Sequence, residues 1–257
     1  MNAEKREGTQ SIQRVINLLR VVARNNELGL TLSQIARSTG LHVSTAHRML
    51  SILVEEGFVS YDRGSRLYHL GIELFLLGGS AHQFSIRNLF RSCLEKIANE
   101  TGDTVFLLIR SGNDVLCIDR VEGKFPIRTI PIDIGARRPL GIGAGGLALI
   151  AFWPKAQFEE MLAANALRYP QYKNLTVSDI RNLASQARKN GYVVSQGLFH
   201  EGVTSIGIPV ENSKGEVIAA ITVSSIAQRM DGRRRQEIVQ LVKRTARVET
   251  LGAFHPF

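Results

Sequence analysis

The sequence predicts an α+β protein in two parts, on the evidence of two patterns. Apolar residues recur at helical spacing up to residue 57, and a short hairpin of strand formers follows them. From Ile86 onward, strand-forming runs are joined by turn residues and flanked by helices, which is typical of an antiparallel sheet. The predicted division is a first domain at 1–71, a linker helix at 72–84 and a second, α/β domain at 85–257.

The composition is that of a soluble globular protein. The 257 residues are 44% hydrophobic and 21% charged, and the net charge of +9 favours polyanionic partners. Residues 1–71 hold nine Lys and Arg against six Asp and Glu, so the positive charge is not concentrated there. We expect no membrane span and a cytoplasmic location. We also expect Cys93 and Cys117 to be buried hydrophobes rather than disulfide partners, ligands or nucleophiles.

An amphipathic helix is predicted over Ser11–Ala23. Its apolar face comprises Ile12, Val15, Ile16, Leu19 and Val22. Gln13 and Arg14 near its start are placed to touch a DNA phosphate, and the alternative is that both are simply exposed.

Residues 30–57 predict two helices joined by a tight turn. Thr31 and Gln34 form a capping box at the start, and Gly40 suits the left-handed residue that ends the first helix. The second helix ends near Gly57 and has apolar residues at helical spacing: Ala46, Met49, Leu50, Leu53 and Val54.

The other face of the second helix carries small polar and basic side chains. A helix fits the major groove of DNA, where such side chains donate to phosphates and base edges. The predicted DNA contacts are Ser44, Thr45, His47 and Arg48, with Thr31 at the start of the preceding helix. The alternative is an ordinary helical hairpin with a solvated face.

A basic hairpin follows this pair of helices. Phe58–Tyr61 and Arg66–Leu70 are predicted strands, and the turn between them offers Gly64 for a positive φ. The combination predicts a winged helix-turn-helix. Arg63 and Arg66 at its tip are placed to reach the phosphate backbone or minor groove, and a capping hairpin with solvated arginines is the alternative.

Residues 72–83 are apolar and helix-like up to Gly78-Gly79, but too short to span a membrane. A winged module that reads symmetric DNA sites has to dimerise, so this segment suits a helix buried against a partner subunit. Packing against the chain's own second domain is an equally physical alternative.

The second domain alternates helices and paired strands. Helices are predicted at 86–101, 141–153, 158–164, 176–191 and 231–251. Strands are predicted at 105–109, 115–121, 192–195, 205–210 and 217–224, with a short extended segment at 127–130.

Residues Gly141–Gly146 contain the pattern G-x-G-x-x-G and lead into a predicted helix. No convincing strand precedes them, since Arg137-Arg138-Pro139 stands there, and no βαβ unit surrounds them, so the pattern is weak evidence for a dinucleotide site. Two explanations stand equal: exposed backbone N–H groups bind a carboxylate, or the glycines let a helix pack closely on a sheet.

Polar residues in or at the ends of apolar strands could line a pocket for a small polar ligand, namely Ser195, Ser205, Thr222 and Ser224. Satisfied hydroxyls at a sheet edge are the alternative. The sequence shows no metal-ligand spacing, nucleophile elbow, Walker loop or paired carboxylates, so we predict no catalytic residue, metal or cofactor.

The chain resembles the IclR family of transcriptional regulators over nearly its full length. In the first half the resemblance is carried by Ser11-Ile12-Gln13-Arg14, Gly29–Ala36, Gly40-Leu41, Ser44–Leu50 and Leu67–Gly71. In the second half it is carried by Glu100–Val105, Arg120–Gly123, Gly135–Leu140, Gly191-Tyr192 and Ala219–Ser224.

The resemblance implies a winged helix-turn-helix followed by an effector-binding domain related to the GAF fold. It also implies homodimers, often paired into tetramers, that bind double-stranded palindromic operators near catabolic operons and respond to small organic acids. The family's pocket aligns with Gly143, Ala144, Ser195, Val203, Ser205, Thr222 and Ser224, and Gly145 completes the predicted effector set.

Two departures from the family pattern shape the effector hypothesis. Many members have His-Ala-Thr-Ala-x-Gly-Lys where this chain has Gly141–Leu147, and an acidic residue is frequent at the position of Ser195. Without these groups we expect a roomier, anion-friendly pocket for an aromatic or other bulky carboxylate. The rival hypothesis is a carboxylate- or nucleotide-binding enzyme that uses the Gly141–Gly146 loop.

Overall fold

The computed structural model describes residues 4–80 and 85–253. The chain divides into two compact units, Met1–Phe84 and Ser85–Phe257, so the segment predicted as a linker falls in the first unit. Residues 81–84 of that segment lie outside the described residues. No helix in the described ranges combines the length and apolar character needed to cross a membrane.

The first unit begins with three helices, α1 (Glu4–Arg24), α2 (Leu32–Thr39) and α3 (Val43–Glu55). The predicted capping box starts α2, and Gly40 ends it at φ 69°. The core consists of Leu18, Val22, Ile35, Met49, Leu50, Leu53, Val59 and Tyr68. These residues come from all three helices and the following hairpin, so the unit has a core of its own.

Helix α1 buries only part of the predicted stripe: Val22 is in the core, and Val15 and Leu19 pack against it. Ile12 and Ile16 were expected on the buried stripe but are 64% and 38% exposed. The reason is that α1 meets the core near its C-terminal end, where Leu18, Val21 and Val22 are buried. The first turns of the stripe therefore have nothing beneath them within this unit.

A two-stranded antiparallel hairpin follows α3, made of β1 (Val59–Asp62) and β2 (Leu67–Leu70). The chain then enters α4 (Ile72–Ser80) through Gly71. A Cβ atom at position 71 would lie 2.0 Å from the carbonyl oxygen of Gly57, so only glycine fits this crossing.

The second unit is a sheet with helices on its two faces. Its helices are α5 (Ser85–Thr101), α6 (Gly143–Ala148), α7 (Lys155–Asn165), α8 (Val177–Asn190) and α9 (Gly232–Ala253). Its strands are β3 (Thr104–Ser111), β4 (Asp114–Val121), β5 (Arg137–Pro139), β6 (Val193–Gln196), β7 (Val203–Glu211) and β8 (Val217–Ile226). All neighbours are antiparallel, in the order β5-β4-β3-β8-β7-β6.

Alternate residues of the central strands enter two separate cores. Val105 and Leu107 face α5 and α9, whereas Phe106 and Leu108 face α6, α7 and α8. This alternation is the period of two expected of a strand. Cys93 and Cys117 are both buried, which confirms that part of the prediction.

Two predicted elements of the second unit are wrong. Residues 127–130 form no strand; the edge position beside β4 is taken by β5, with Arg137 opposite Leu116. The helix predicted over 141–153 ends at Ala148, because the chain tightens into turns in which Ile150 and Trp153 donate backbone hydrogen bonds to carbonyls three residues back. Pro154 then takes the N-cap position of the next helix, α7, with an extended ψ of 141° that separates the two helices.

Candidate functional site

Helix α3 presents a polar and basic face to solvent. Ala46, Met49 and Leu50 point into the core, while Ser44, His47 and Arg48 are exposed on the opposite side. Thr45 is half-buried between the two faces. The side chains predicted to contact DNA therefore lie on an open helix surface of the kind that enters a major groove.

A groove runs between the start of α2, the exposed face of α3 and the hairpin. It brings together Thr31, His47 and Arg66, three of the predicted DNA contacts that are distant in sequence. The Thr31 hydroxyl is already engaged with Gln34 in the capping box. Its local role is thus to fix the start of α2 at the edge of this groove.

The hairpin tip is held by the side chain of Asp62. Its carboxylate accepts hydrogen bonds from the Ser65 hydroxyl and the Gly64 backbone N–H, and these bonds lower the pKa of Asp62, the Ser65 bond most. The left-handed residue of the turn is Arg66, at φ 58°, rather than Gly64 as predicted. Arg63 and Arg66 are both exposed, so the ordered tip displays two guanidinium groups.

Gln13 and Arg14 lie exposed on α1 and do not border the groove beside α3. Their proposed contact with a phosphate stays a prediction.

The second unit encloses a small cavity where the glycine-rich loop and α6 cover the sheet. Its volume is about 30 Å³, which is room for one or two water molecules. The predicted effector residues that line it are Gly143, Ala144, Gly145, Ser195, Ser205 and Thr222. Ser224 lies behind Ser205, and Val203 lines a different groove together with Ile127 and His200.

A row of hydroxyl side chains crosses the sheet beside this cavity. Ser195 is opposite Ser205, and Ser205 is opposite Ser224, with 2.7 Å between the two Oγ atoms of the second pair. Thr222 begins the next row on the same face. Its side chain is only 5% exposed, and its Oγ1 has no hydrogen-bond partner among the described residues. An unpaired buried hydroxyl of this kind is costly unless a ligand or water pairs with it.

Close packing explains part of the glycine-rich loop. A Cβ atom at Gly145 would lie 2.0 Å from Leu108 Cδ1, and one at Gly207 would lie 2.2 Å from the carbonyl oxygen of Ala144. The segment rests directly on the sheet: it follows the three-residue edge strand β5, and from Gly143 onward it forms the six-residue helix α6. The parallel βαβ setting of a dinucleotide site is absent from the described sheet.

Tyr169 anchors this loop from the opposite side. Its hydroxyl donates a 2.9 Å hydrogen bond to the carbonyl oxygen of Leu140, and burial raises the pKa of the phenol to about 12. Tyr169 lies on the 3-10 turn after α7, far from the loop in sequence.

Sequence reasoning missed two residues of the cavity wall, Arg138 and Phe199. The Arg138 guanidinium lies 3.6 Å from the centre of the Phe199 ring and donates to the carbonyl oxygen of Pro131. No sequence signal marked Arg138, since β5 has only three residues, of which Arg137 is exposed, Arg138 half-buried and Pro139 buried. No signal marked Phe199 either, which lies in the loop after β6.

The roomier, anion-friendly pocket stays a prediction. A Cβ atom at Gly143 would lie 3.0 Å from Phe199 Cε2, so the Phe199 ring takes up space beside the small residues of the loop. A second cavity of about 150 Å³ is lined by Gly143 and Ser195 on another side, together with Leu198.

Each of the two units matches the sequence model of a known protein family. The sequence model described as the IclR helix-turn-helix domain matches residues 11–63, and that described as the bacterial transcriptional regulator IclR C-terminal domain matches residues 79–248. The chain is 31% identical to the glycerol operon regulatory protein of Streptomyces coelicolor, over 93% of this chain and 94% of that protein. It is 30% identical to the transcriptional regulator KipR of Bacillus subtilis, over 84% and 87% respectively.

Solved structures show the same fold. An IclR transcriptional regulator from Alicyclobacillus acidocaldarius superposes with a TM-score of 0.76 at 25% identity, covering 94% of this chain and 98% of that one. An IclR homologue from Microbacterium hydrocarbonoxydans, complexed with 4-hydroxybenzoate, superposes with a TM-score of 0.77 at 23% identity, again covering 94% and 98%.

Proposed function

We propose that this chain, which belongs to the IclR family of bacterial transcriptional regulators, controls a catabolic operon in response to a small organic acid. As a member of that family it is a transcriptional regulator with a DNA-binding and an effector-binding domain. The identity of the operon and of the acid, and the residues that contact each partner, belong to the proposal. Its site of action on chromosomal DNA would be the cytoplasm.

The observation that carries the DNA half of the proposal is the exposed polar face of α3. Ser44, Thr45, His47 and Arg48 lie together on it, and Thr31 and Arg66 flank it across the groove. In the proposed complex α3 enters the major groove, where Arg48 and His47 donate to base edges or phosphates. Arg63 and Arg66 of the hairpin contact the backbone beside it, with Gln13 and Arg14 as further phosphate contacts.

The acid half of the proposal is supported by the hydroxyl groups and small residues around the cavity. The effector residues we assign are Gly143, Ala144, Gly145, Ser195, Ser205, Thr222 and Ser224, with Val203 at the neighbouring groove. The apolar remainder of the wall, including Phe106, Leu108 and Ile142, suits an aromatic or other bulky body. A protein of the same fold forms a complex with 4-hydroxybenzoate, so the fold is compatible with an aromatic acid.

Communication between the two functions requires a dimer. Helix α4 exposes Ile72, Phe75 and Leu77 by 64%, 74% and 54%, an apolar surface that we assign to a partner subunit. Acid binding then shifts the positions of the two DNA-binding domains of a dimer relative to each other. Pairing of dimers would extend the same coupling to four DNA-binding domains. Replacing Phe75 with Asp should convert a dimer to monomers in sedimentation analysis; unchanged mass would move the interface elsewhere.

The DNA half is tested by fluorescence anisotropy with DNA from the chain's own upstream region, at fixed salt. We expect Arg48→Ala to weaken specific binding by about 1–3 kcal/mol while leaving the melting temperature unchanged. Arg233→Ala is the matched control, because Arg233 is an exposed arginine on α9 paired with Glu237. Equal affinity of wild type and Arg48→Ala would remove Arg48 from the interface.

A further inference from the structure

The cavity wall contains a cation without an anion. Arg138 is half-buried, and burial lowers the pKa of its guanidinium, although an arginine remains charged at neutral pH. Its contacts are the Phe199 ring and the Pro131 carbonyl oxygen. No carboxylate oxygen among the described residues lies within 4.0 Å of its nitrogens. Arg120, Arg168 and Arg181 elsewhere in the same unit, by contrast, each pair with an acidic side chain.

A desolvated cation is expensive unless an opposite charge compensates it. The stacked phenyl ring and one carbonyl oxygen compensate Arg138 only in part. Its planar guanidinium therefore leaves donors suited to a carboxylate, which it binds in a bidentate manner better than any ammonium group can.

A second polar group in the same cavity is also unpaired. Thr222 Oγ1 is buried without a hydrogen bond and lies 2.5 Å from where a Cβ atom at Gly145 would stand, so the hydroxyl points at the glycine-rich loop. Arg138 and Thr222 come from different strands, β5 and β8, and both line the cavity. The Arg138 guanidinium and the Thr222 hydroxyl could therefore both bind a polar group of a ligand in the same cavity.

The half-buried Phe199 ring lines the same cavity. It stacks on Arg138, lies against Gly143 and makes an edge contact with Tyr172 at 6.3 Å between ring centres. The loop that carries Phe199 is bracketed by Gly197 at φ 61° and Gly202 at φ 76°, and a Cβ atom at either glycine would meet nothing within 4 Å. Residues with such freedom at both ends of a loop are suited to act as hinges.

We propose that Arg138 binds the carboxylate of the effector acid, and that Phe199 fills the effector's place in its absence and swings out when the acid enters. The assignment rests on the proposed function, since it concerns the same cavity. It specifies the effector further: an organic acid with a flat apolar body about the size of the phenyl ring that it displaces. The apolar wall of Phe106, Leu108, Ile132 and Ile142 favours such a body over inorganic phosphate.

The test compares acids with their neutral amides by isothermal titration of the full chain. The probes are benzoate, 4-hydroxybenzoate, phenylacetate and pyruvate, with benzamide and 4-hydroxybenzamide as uncharged counterparts and inorganic phosphate as the anion without an apolar body. We expect the wild type to prefer benzoate-type acids over the matching amides by about 10- to 100-fold. Arg138→Met should lose that preference, and Arg138→Lys should retain part of it.

Arg137→Met is the matched control, because Arg137 is the exposed neighbour on β5 and donates to the Ser111 hydroxyl outside the cavity. The melting temperature of ligand-free Arg138→Met shows whether loss of the Phe199 stacking and of the Pro131 hydrogen bond destabilises the unit. If Arg138→Met melts well below the wild type, Arg138→Gln replaces it in the titrations, because glutamine keeps a donor and loses the charge.

The outcomes separate this inference from the function on which it rests. Equal acid binding by the wild type and Arg138→Met overturns the role of Arg138 alone. Binding of pyruvate only overturns the aromatic class and the flat body, while the Arg138 variants titrated with pyruvate still decide the carboxylate contact. Binding of no organic acid overturns the acid effector and Arg138 together, and binding of phosphate alone overturns the need for an apolar body.

Discussion

The surface of α3 and the cavity of the second unit are built in opposite ways. On α3 the candidate residues are neighbours in sequence, and one helical period decides which of them face solvent. The wall of the cavity comes from all six strands, β3 to β8, from α6, from the loop after β6 and from residues 131–132. A surface set by local periodicity is visible in the sequence, whereas a cavity set by strand order is visible only in part.

The largest expected effect concerns the buried face of α3, which should stabilise the fold while the exposed face contacts DNA. Leu50 is fully buried, so Leu50→Ala should lower the free energy of unfolding of the first unit by about 2–5 kcal/mol. Urea unfolding followed by circular dichroism measures this loss. Trp153, the single tryptophan, reports on the second unit, and its fluorescence midpoint should stay in place. Ile52→Ala, at a position 55% exposed, is the control and should have little effect.

The matching test in the second unit concerns Gly207, on which the loop rests. A Cβ atom there would lie 2.2 Å from the backbone oxygen of Ala144, so Gly207→Ala should destabilise the unit by about 1–3 kcal/mol through overpacking. The Trp153 fluorescence midpoint should fall in urea. Gly64→Ala, in the first-unit turn at an unstrained φ, is the control. An unshifted midpoint for Gly207→Ala would contradict the close contact between α6 and β7.

A smaller effect is expected from the bond that ties the loop to the rest of its unit. Tyr169→Phe removes the hydrogen bond to the Leu140 carbonyl oxygen while keeping the ring, and should cost about 1 kcal/mol. Thermal unfolding measures this loss. Tyr172→Phe, at a half-buried tyrosine nearby, serves as the comparison. A loss of stability no greater than that of the comparison would mean that packing alone holds the loop.

The smallest expected effect concerns the Phe199 ring in the cavity wall. Phe199→Ala should tighten binding of a benzoate-type acid severalfold, because the acid no longer has to displace a ring. Titration calorimetry at one temperature measures the change. Weaker binding by this variant would show that the ring is part of the binding site rather than its substitute occupant.

These contrasts show what the sequence could and could not predict. The capping box at Thr31, the left-handed Gly40 and the buried stripe of α3 follow from local rules, and the structure confirms them. Only the C-terminal part of the stripe predicted for α1 is buried, because the stripe alone does not say where along its length the helix meets a core. The positive φ expected at Gly64 is found instead at Arg66, two residues later, where the hairpin turn requires it.

In the second unit, the hydroxyl row was predictable from strand ends, and strand pairing brings Ser195, Ser205 and Ser224 side by side. Arg138 was not predicted, because β5 is a three-residue strand without a hydrophobic pattern of its own. Phe199 was not predicted either, because its position depends on the path of a loop between two glycines. Only the folded sheet shows that both residues line the same cavity as Gly143.

The central claim is that acid binding changes the affinity for DNA. Its most direct test measures the affinity for upstream DNA with and without the acid that stabilises the protein best in a thermal-shift screen. Anisotropy titrations at fixed salt should show sequence-specific binding whose affinity changes by about 5- to 150-fold at saturating acid. Arg138→Met should bind the same DNA and lose the response. Specific DNA binding that is the same at every acid concentration would contradict the coupling of the two units, and binding no tighter than to unrelated DNA would contradict the DNA-binding role assigned to α3.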